Sequence, residues 1–207
     1  MKMKLRIVFA AMFMIVMSMS SLSAGTPGSS ALEAIRTTVE AVLDVMKNQE
    51  LSPPGKKEER RQVISTLIRQ RFDFEEMAKR SLAQHWQGRS PEEQKEFVSI
   101  FSDLLESSYV GKIEAYTDEK VTYDKEVLKG GGKYAFVSTT VITKEVDIPI
   151  EYKLISRSST WLVYDVVIEG VSFISTYRSQ YGSIIAKDSY SGLIQSMKKK
   201  LDEVNAL

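Results

Sequence analysis

The chain contains no cysteine, one histidine and two tryptophans among 207 residues. Without cysteine there is no disulfide to staple the fold and no thiolate to attack a substrate or hold zinc, so stability must come from the core. A lone histidine rules out the clustered imidazoles of a zinc centre. His85 stands beside Trp86 with no nucleophile or carboxylate placed for it in the sequence, and it reads as structural. No metal and no cofactor are expected. An excess of charge of either sign is also missing. Setting aside Lys2, Lys4 and Arg6 leaves 25 basic residues against 27 acidic, about −2, a poor match for nucleic acid, which rewards a basic face.

A long hydrophobic run is absent too. The one apolar stretch, from Ile7 to Met17, is shorter than the ~20 residues that a helix needs to cross a bilayer. Cations precede it, and the small residues Ser20, Ser21, Ser23 and Ala24 come after it. This is the pattern of a secretory signal peptide over residues 1–24, with cleavage after Ser23 or Ala24 and a periplasmic destination. Gly25 to Ser30 then reads as a tail.

Beyond the tail the chain shows helical and then strand periodicity. Leu32, Ile35, Val39, Val42, Leu43 and Met46 recur at three- and four-residue spacing, which puts them on one helix face. Ser52 to Gly55 ends that helix, and Val63, Ile64, Leu67 and Ile68 mark a second. Asp73 before Glu76, and Ser90 before Glu93 with Pro91 between, are helix-start signals in which side chains satisfy free backbone N–H groups. The second launches a long helix to about Ala115 with Phe97, Ile100, Phe101, Leu104, Leu105, Tyr109 and Ile113 on its apolar face.

From Glu119 the period becomes two. Strands are expected around Val121 to Val127, Tyr134 to Thr143, Ile148 to Leu154 and Thr160 to Ile168, with turns at Gly130 to Gly132, Asp147 and Arg157 to Ser159. A strand, not a helix, comes after the glycines, so they read as a hairpin turn and not a phosphate cradle. In the fourth strand Leu162, Tyr164, Val166 and Ile168 alternate onto one apolar face, assigned to the interior. Two helices finish the chain, one from about Ser172 to Ala186 and one carrying Leu193 to Val204. The fold class is α+β: a four-stranded antiparallel sheet between N-terminal and C-terminal helices.

Two segments carry more. Phe72-Asp73-Phe74-Glu75-Glu76-Met77-Ala78, then Trp86 and Ser90-Pro91-Glu92-Glu93, is one. Trp161-Leu162-Val163-Tyr164-Asp165-Val166-Val167-Ile168-Glu169-Gly170-Val171-Ser172, then Tyr177-Arg178-Ser179-Gln180-Tyr181, is the other. In order and spacing, from about Ala31 to Val204, the chain resembles the MlaC family of periplasmic phospholipid carriers, also called toluene-tolerance auxiliary proteins. Such proteins often carry a glycine shortly before the tryptophan, where this chain has Leu82-Ala83-Gln84-His85.

The resemblance implies a curved sheet of the nuclear transport factor 2-like type enclosing a pocket for phospholipid tails over residues 25–207. It also implies partners in an outer-membrane lipoprotein-porin complex and an inner-membrane ABC transporter, and a part in maintaining outer-membrane lipid asymmetry. The candidate walls are Val121, Tyr123, Ile150, Tyr152, Leu154, Leu162, Tyr164, Val166 and Ile168 from the strands, with Phe101, Leu104, Leu105 and Tyr109 from the long helix. Tyr177 and Tyr181 are candidates for the opposite side, and Arg178 for a headgroup phosphate or an ordinary ion pair. A chaperone would instead expose an apolar patch, and an enzyme on this fold would converge polar groups inside its pocket.

Overall fold

The computed structural model describes residues 29–114 and 120–206. The leader, most of the tail, Ala115 and Glu119 lie outside the described residues. Four α-helices come first: α1 (Ala31–Lys47), α2 (Lys57–Arg71), α3 (Phe74–Leu82) and α4 (Pro91–Glu114). Their starts are fixed locally. Ser30 Oγ accepts from Glu33 N at 3.1 Å and Asp73 Oδ1 from Glu76 N at 2.9 Å. At α4 the capping box is reciprocal, since Ser90 Oγ accepts from Glu93 N while Glu93 Oε2 accepts from Ser90 N. At α3 it is one-sided. The Asp73 N–H donates to Val163 O, and Glu76 turns to Arg80 and Arg157.

Among the described residues the sheet has five strands, not four: β1 (Lys120–Lys129), β2 (Tyr134–Ile142), β3 (Asp147–Arg157), β4 (Thr160–Ile168) and β5 (Val171–Ser172), antiparallel in that order. The extra strand arises at Glu169 and Gly170, whose φ values of 49° and 81° make a two-residue turn matched to strand twist. That turn folds Val171 and Ser172 back onto Ile168 and Val167. Ser158 and Ser159, also at positive φ, join β3 to β4 in the same way. Helix α5 (Phe173–Asn205) closes the chain and is broken at Ser189 (φ 72°, ψ 173°), which separates the two expected helical segments.

Two apolar clusters organise the molecule. One joins α3, α4 and α5 around Met77, Phe97, Phe101 and Tyr181, and reaches the sheet at Ile155 and Tyr164. The other packs Ala31 and Ile35 of α1 on Ala135, Val137, Leu154, Val163 and Val166. The first is rich in ring contacts: Phe97 meets Tyr181 edge-on at 5.8 Å, and Phe101 meets Tyr177 at 5.7 Å.

Ala83, at the end of α3, has φ 48° and ψ −118°. A Cβ strains that conformation, whereas glycine adopts it freely. This alanine stands three residues before Trp86, within the Leu82-Ala83-Gln84-His85 segment where the resemblance leads one to expect a glycine. Ala83→Gly should therefore stabilise the protein by about 1 kcal/mol, relief of strain outweighing the added freedom of the unfolded chain. Chemical denaturation reads this directly, and a lower midpoint at unchanged slope would contradict it.

Candidate lipid-binding cavity

Between α1, α2, α4 and the sheet lies a cavity of about 550 Å³. Its wall comes from six parts of the chain. Val39, Leu43 and Met46 descend from α1, Ile68 and the capping Phe72 from α2, Phe74 and Met77 from α3, Leu105, Glu106, Tyr109, Val110 and Ile113 from α4, Val121, Val141, Ile150, Tyr152, Val166 and Ile168 from the strands, and Phe173 from α5. The spacing within α1 explains its share: the buried positions Ala31, Ala34 and Ile35 lie in its first half, and the same stripe continued by three or four residues overhangs the hollow.

Of the candidate walls, Leu105, Tyr109, Val121, Ile150, Tyr152, Val166 and Ile168 line this cavity. Phe101, Leu104, Tyr164 and Tyr181 belong instead to the solid helical core, with Leu162 and Tyr177 packed against it. Leu154 is buried under α1. Tyr123 lies against that second cluster, its ring beneath the Arg36 guanidinium at 4.8 Å. Arg178 is exposed on α5 and does not line the cavity.

The error in β4 has a single cause. Lys153 pairs with Asp165 and Leu154 with Val163, which leaves Tyr164 as an extra residue in β4. Such a bulge reverses the in-out alternation of a strand. The expected face of Leu162, Tyr164, Val166 and Ile168 is thus two half-faces: Leu162 and Tyr164 join the helical core, while Val163 takes their place beside Val166. Asp165, expected on the outer face, is buried and accepts from Lys153 Nζ at 3.0 Å, Ser172 Oγ at 2.7 Å and Ile174 N at 3.1 Å. It fixes the start of α5, and with it Phe173, against the cavity.

Polar chemistry in the wall is sparse. Among the described residues Glu106 is its one charged side chain. Glu106 Oε2 accepts from Ser65 Oγ at 2.6 Å and from Arg69 Nη2 at 2.9 Å, while Oε1 lies 2.7 Å from Arg69 Nε as an ion pair without a hydrogen bond among the described residues. Burial pushes the Tyr152 phenol up to about 12, against a hydrogen bond with Thr139 that lowers it. Behind the wall, on the helical-core side of Tyr109, Tyr177 is raised further by burial, with Tyr109 and the hydrogen bond between the two adding to it. These phenols stay neutral at physiological pH, so neither becomes an anion there. No group of three or more histidine, aspartate or glutamate side chains suited to a metal exists among the described residues. His85 sits in a short turn, Ala83–His85, away from the wall.

A family model described as MlaC protein matches residues 36–199. The chain belongs to the MlaC family. A Haemophilus influenzae relative, named intermembrane phospholipid transport system binding protein MlaC, is 23% identical over 126 residues, covering 59% of this chain and 59% of its own length. Among solved structures, a phospholipid-binding protein from Ralstonia solanacearum, in complex with a phospholipid, superposes with a TM-score of 0.77 at 23% identity over 86% of this chain and 99% of its own. The fold of this MlaC-family chain is therefore that of the Ralstonia protein.

The remaining wall residues were missed because α1 and α2 read in sequence as ordinary buried faces. Periodicity marks Val39, Leu43 and Met46 as apolar and inward, and carries no sign of whether atoms or a void lie beneath. A pair of tryptophan substitutions separates hollow from solid. Leu104→Trp should cost about 1 to 3 kcal/mol by overpacking the core. Ile150→Trp should fold with little loss and reduce uptake of an apolar fluorescent dye. Thermal unfolding and dye titration check both, and the reverse ranking would contradict the placement of the cavity.

Proposed function

We propose that this chain is a periplasmic carrier that shelters the acyl chains of a phospholipid between two membranes, and is not an enzyme. The observation that carries the reading is the cavity of about 550 Å³, where Glu106, the single charged wall residue among those described, is already bound by Ser65 and Arg69. Two acyl chains hold on the order of 30 methylenes, and at about 0.8 kcal/mol each their exposure to water costs roughly 24 kcal/mol. Apolar walls remove that cost and leave the headgroup in water, so a carrier needs no catalytic constellation. The names of the Haemophilus and Ralstonia proteins support the same ligand class.

In this reading residues 1–24 are cleaved on secretion and residues 25–207 act as the lipid-binding domain. No helix among the described residues is long and apolar enough to cross a membrane, which suits a carrier that leaves one membrane for another. Its partners are an outer-membrane lipoprotein-porin complex and an inner-membrane ABC transporter, and its service is outer-membrane lipid asymmetry. Native mass spectrometry of the purified mature protein, with extraction and identification of what it releases, tests the ligand. Stoichiometric phospholipid is expected. A protein that is empty and takes no phospholipid from vesicles would contradict the proposal.

A further inference from the structure

For a chain of methylenes to enter, some part of the wall must part. The strands are held by backbone ladders along their whole length, broken only by a one-residue bulge in β1 and another in β4. Helices α4 and α5 meet through the edge-on rings of Phe97 and Phe101 with Tyr177 and Tyr181. Opening either place would break a ladder or expose apolar area to water.

The junction of α2 with α4 differs. Polar contacts join the two helices at three levels: Arg60 and Arg61 with Glu114, Ser65 with Glu106, and Arg69 with Glu106 and Asp103. Such contacts can be exchanged for water at small cost where they reach solvent, as Arg69 and Asp103 do.

The anchoring of the α1–α2 hairpin is equally uneven. At its base, Ala31 and Ile35 are packed on the sheet, Arg71 donates to Thr38 Oγ1 and Trp161 O, and Phe72 forms a bridge with Val163. At its tip, Arg60 holds Leu51 O within the hairpin, and Glu114 accepts from Arg60 Nη2 and Arg61 Nε, each at 2.8 Å. Between base and tip, Val39, Leu43 and Met46 face the hollow.

We propose that the α1–α2 hairpin is a flap, hinged at its base and latched at its tip by Glu114, and that the acyl chains pass through the polar seam between α2 and α4. The proposal rests on the carrier reading and names the portal of the same cavity. Opening the flap trades ion pairs for hydration, so added salt speeds it by screening the exposed pairs.

The absence of cysteine makes a clean test available. Full-length mature protein carrying Ser65→Cys and Glu106→Cys is loaded with phospholipid, then closed with a short thiol-reactive crosslinker. Transfer to vesicles of phosphatidylethanolamine and phosphatidylglycerol is followed by fluorescence. The control is a crosslink between Lys198→Cys and Glu96→Cys, at an exposed ion pair joining α5 to α4.

The seam crosslink should retain lipid but slow transfer at least about tenfold relative to the same variant before crosslinking, while the control transfers normally. Glu114→Gln, checked by circular dichroism for folding, should transfer about three to ten times faster, because the neutral amide keeps only part of what the nearly buried carboxylate holds with Arg60 and Arg61. Transfer at full speed through a crosslinked seam overturns the flap while leaving the carrier reading intact, and Glu114→Gln no faster than the wild type overturns the latch. Protein that never takes up lipid sinks the carrier reading and the flap with it.

Discussion

One extra residue in β4 sets the two sides of this molecule. With Tyr164 left over between the Lys153–Asp165 and Leu154–Val163 pairs, the strand directs Leu162 and Tyr164 into the helical core and Val163, Val166 and Ile168 toward α1 and the hollow. The buried Asp165 beside the bulge gathers three donors from β3, β5 and α5. A carboxylate so placed tolerates burial because its charge is paired and its oxygens are satisfied. Through it the sheet determines where α5 starts and so where Phe173 meets the cavity.

The two apolar clusters differ in kind. The α3–α4–α5 cluster is filled with interlocking rings and carries the dispersion contacts of a dense interior. The α1 side is fully buried only in its first turns, and beyond Ile35 its Val39, Leu43 and Met46 border the hollow. Side chains around a void forgo part of their contacts, and a bound apolar ligand restores them and stabilises the folded state by mass action. Dense packing on one side provides the rigidity that allows hollowness on the other.

Much of this was legible in the residues. The Asp73–Glu76 and Ser90–Glu93 pairs announced two helix starts, and strand alternation gave four of five strands, because those features depend on neighbours in sequence. The fifth strand is two residues long and depends on positive φ at Glu169, which its side chain does not advertise. The bulge at Tyr164 is equally silent, since it is defined by the partner strand, and half of the expected β4 wall was misplaced in consequence. Leu104 and Leu105 illustrate the remaining limit: both are buried on one helix, yet only Leu105 borders the cavity. Apolar periodicity identifies an inward face without distinguishing packed atoms from a void.

In the proposed carrier the acyl chains lie between α1 and the sheet, and not within the aromatic core. A phospholipid bearing a diazirine near the middle of an acyl chain, photolysed in the complex and mapped by peptide mass spectrometry, tests it most directly. Adducts should fall on Leu43, Ile150, Ile168 and their cavity neighbours. Labelling concentrated on Phe97, Phe101 and Tyr181 would contradict the account.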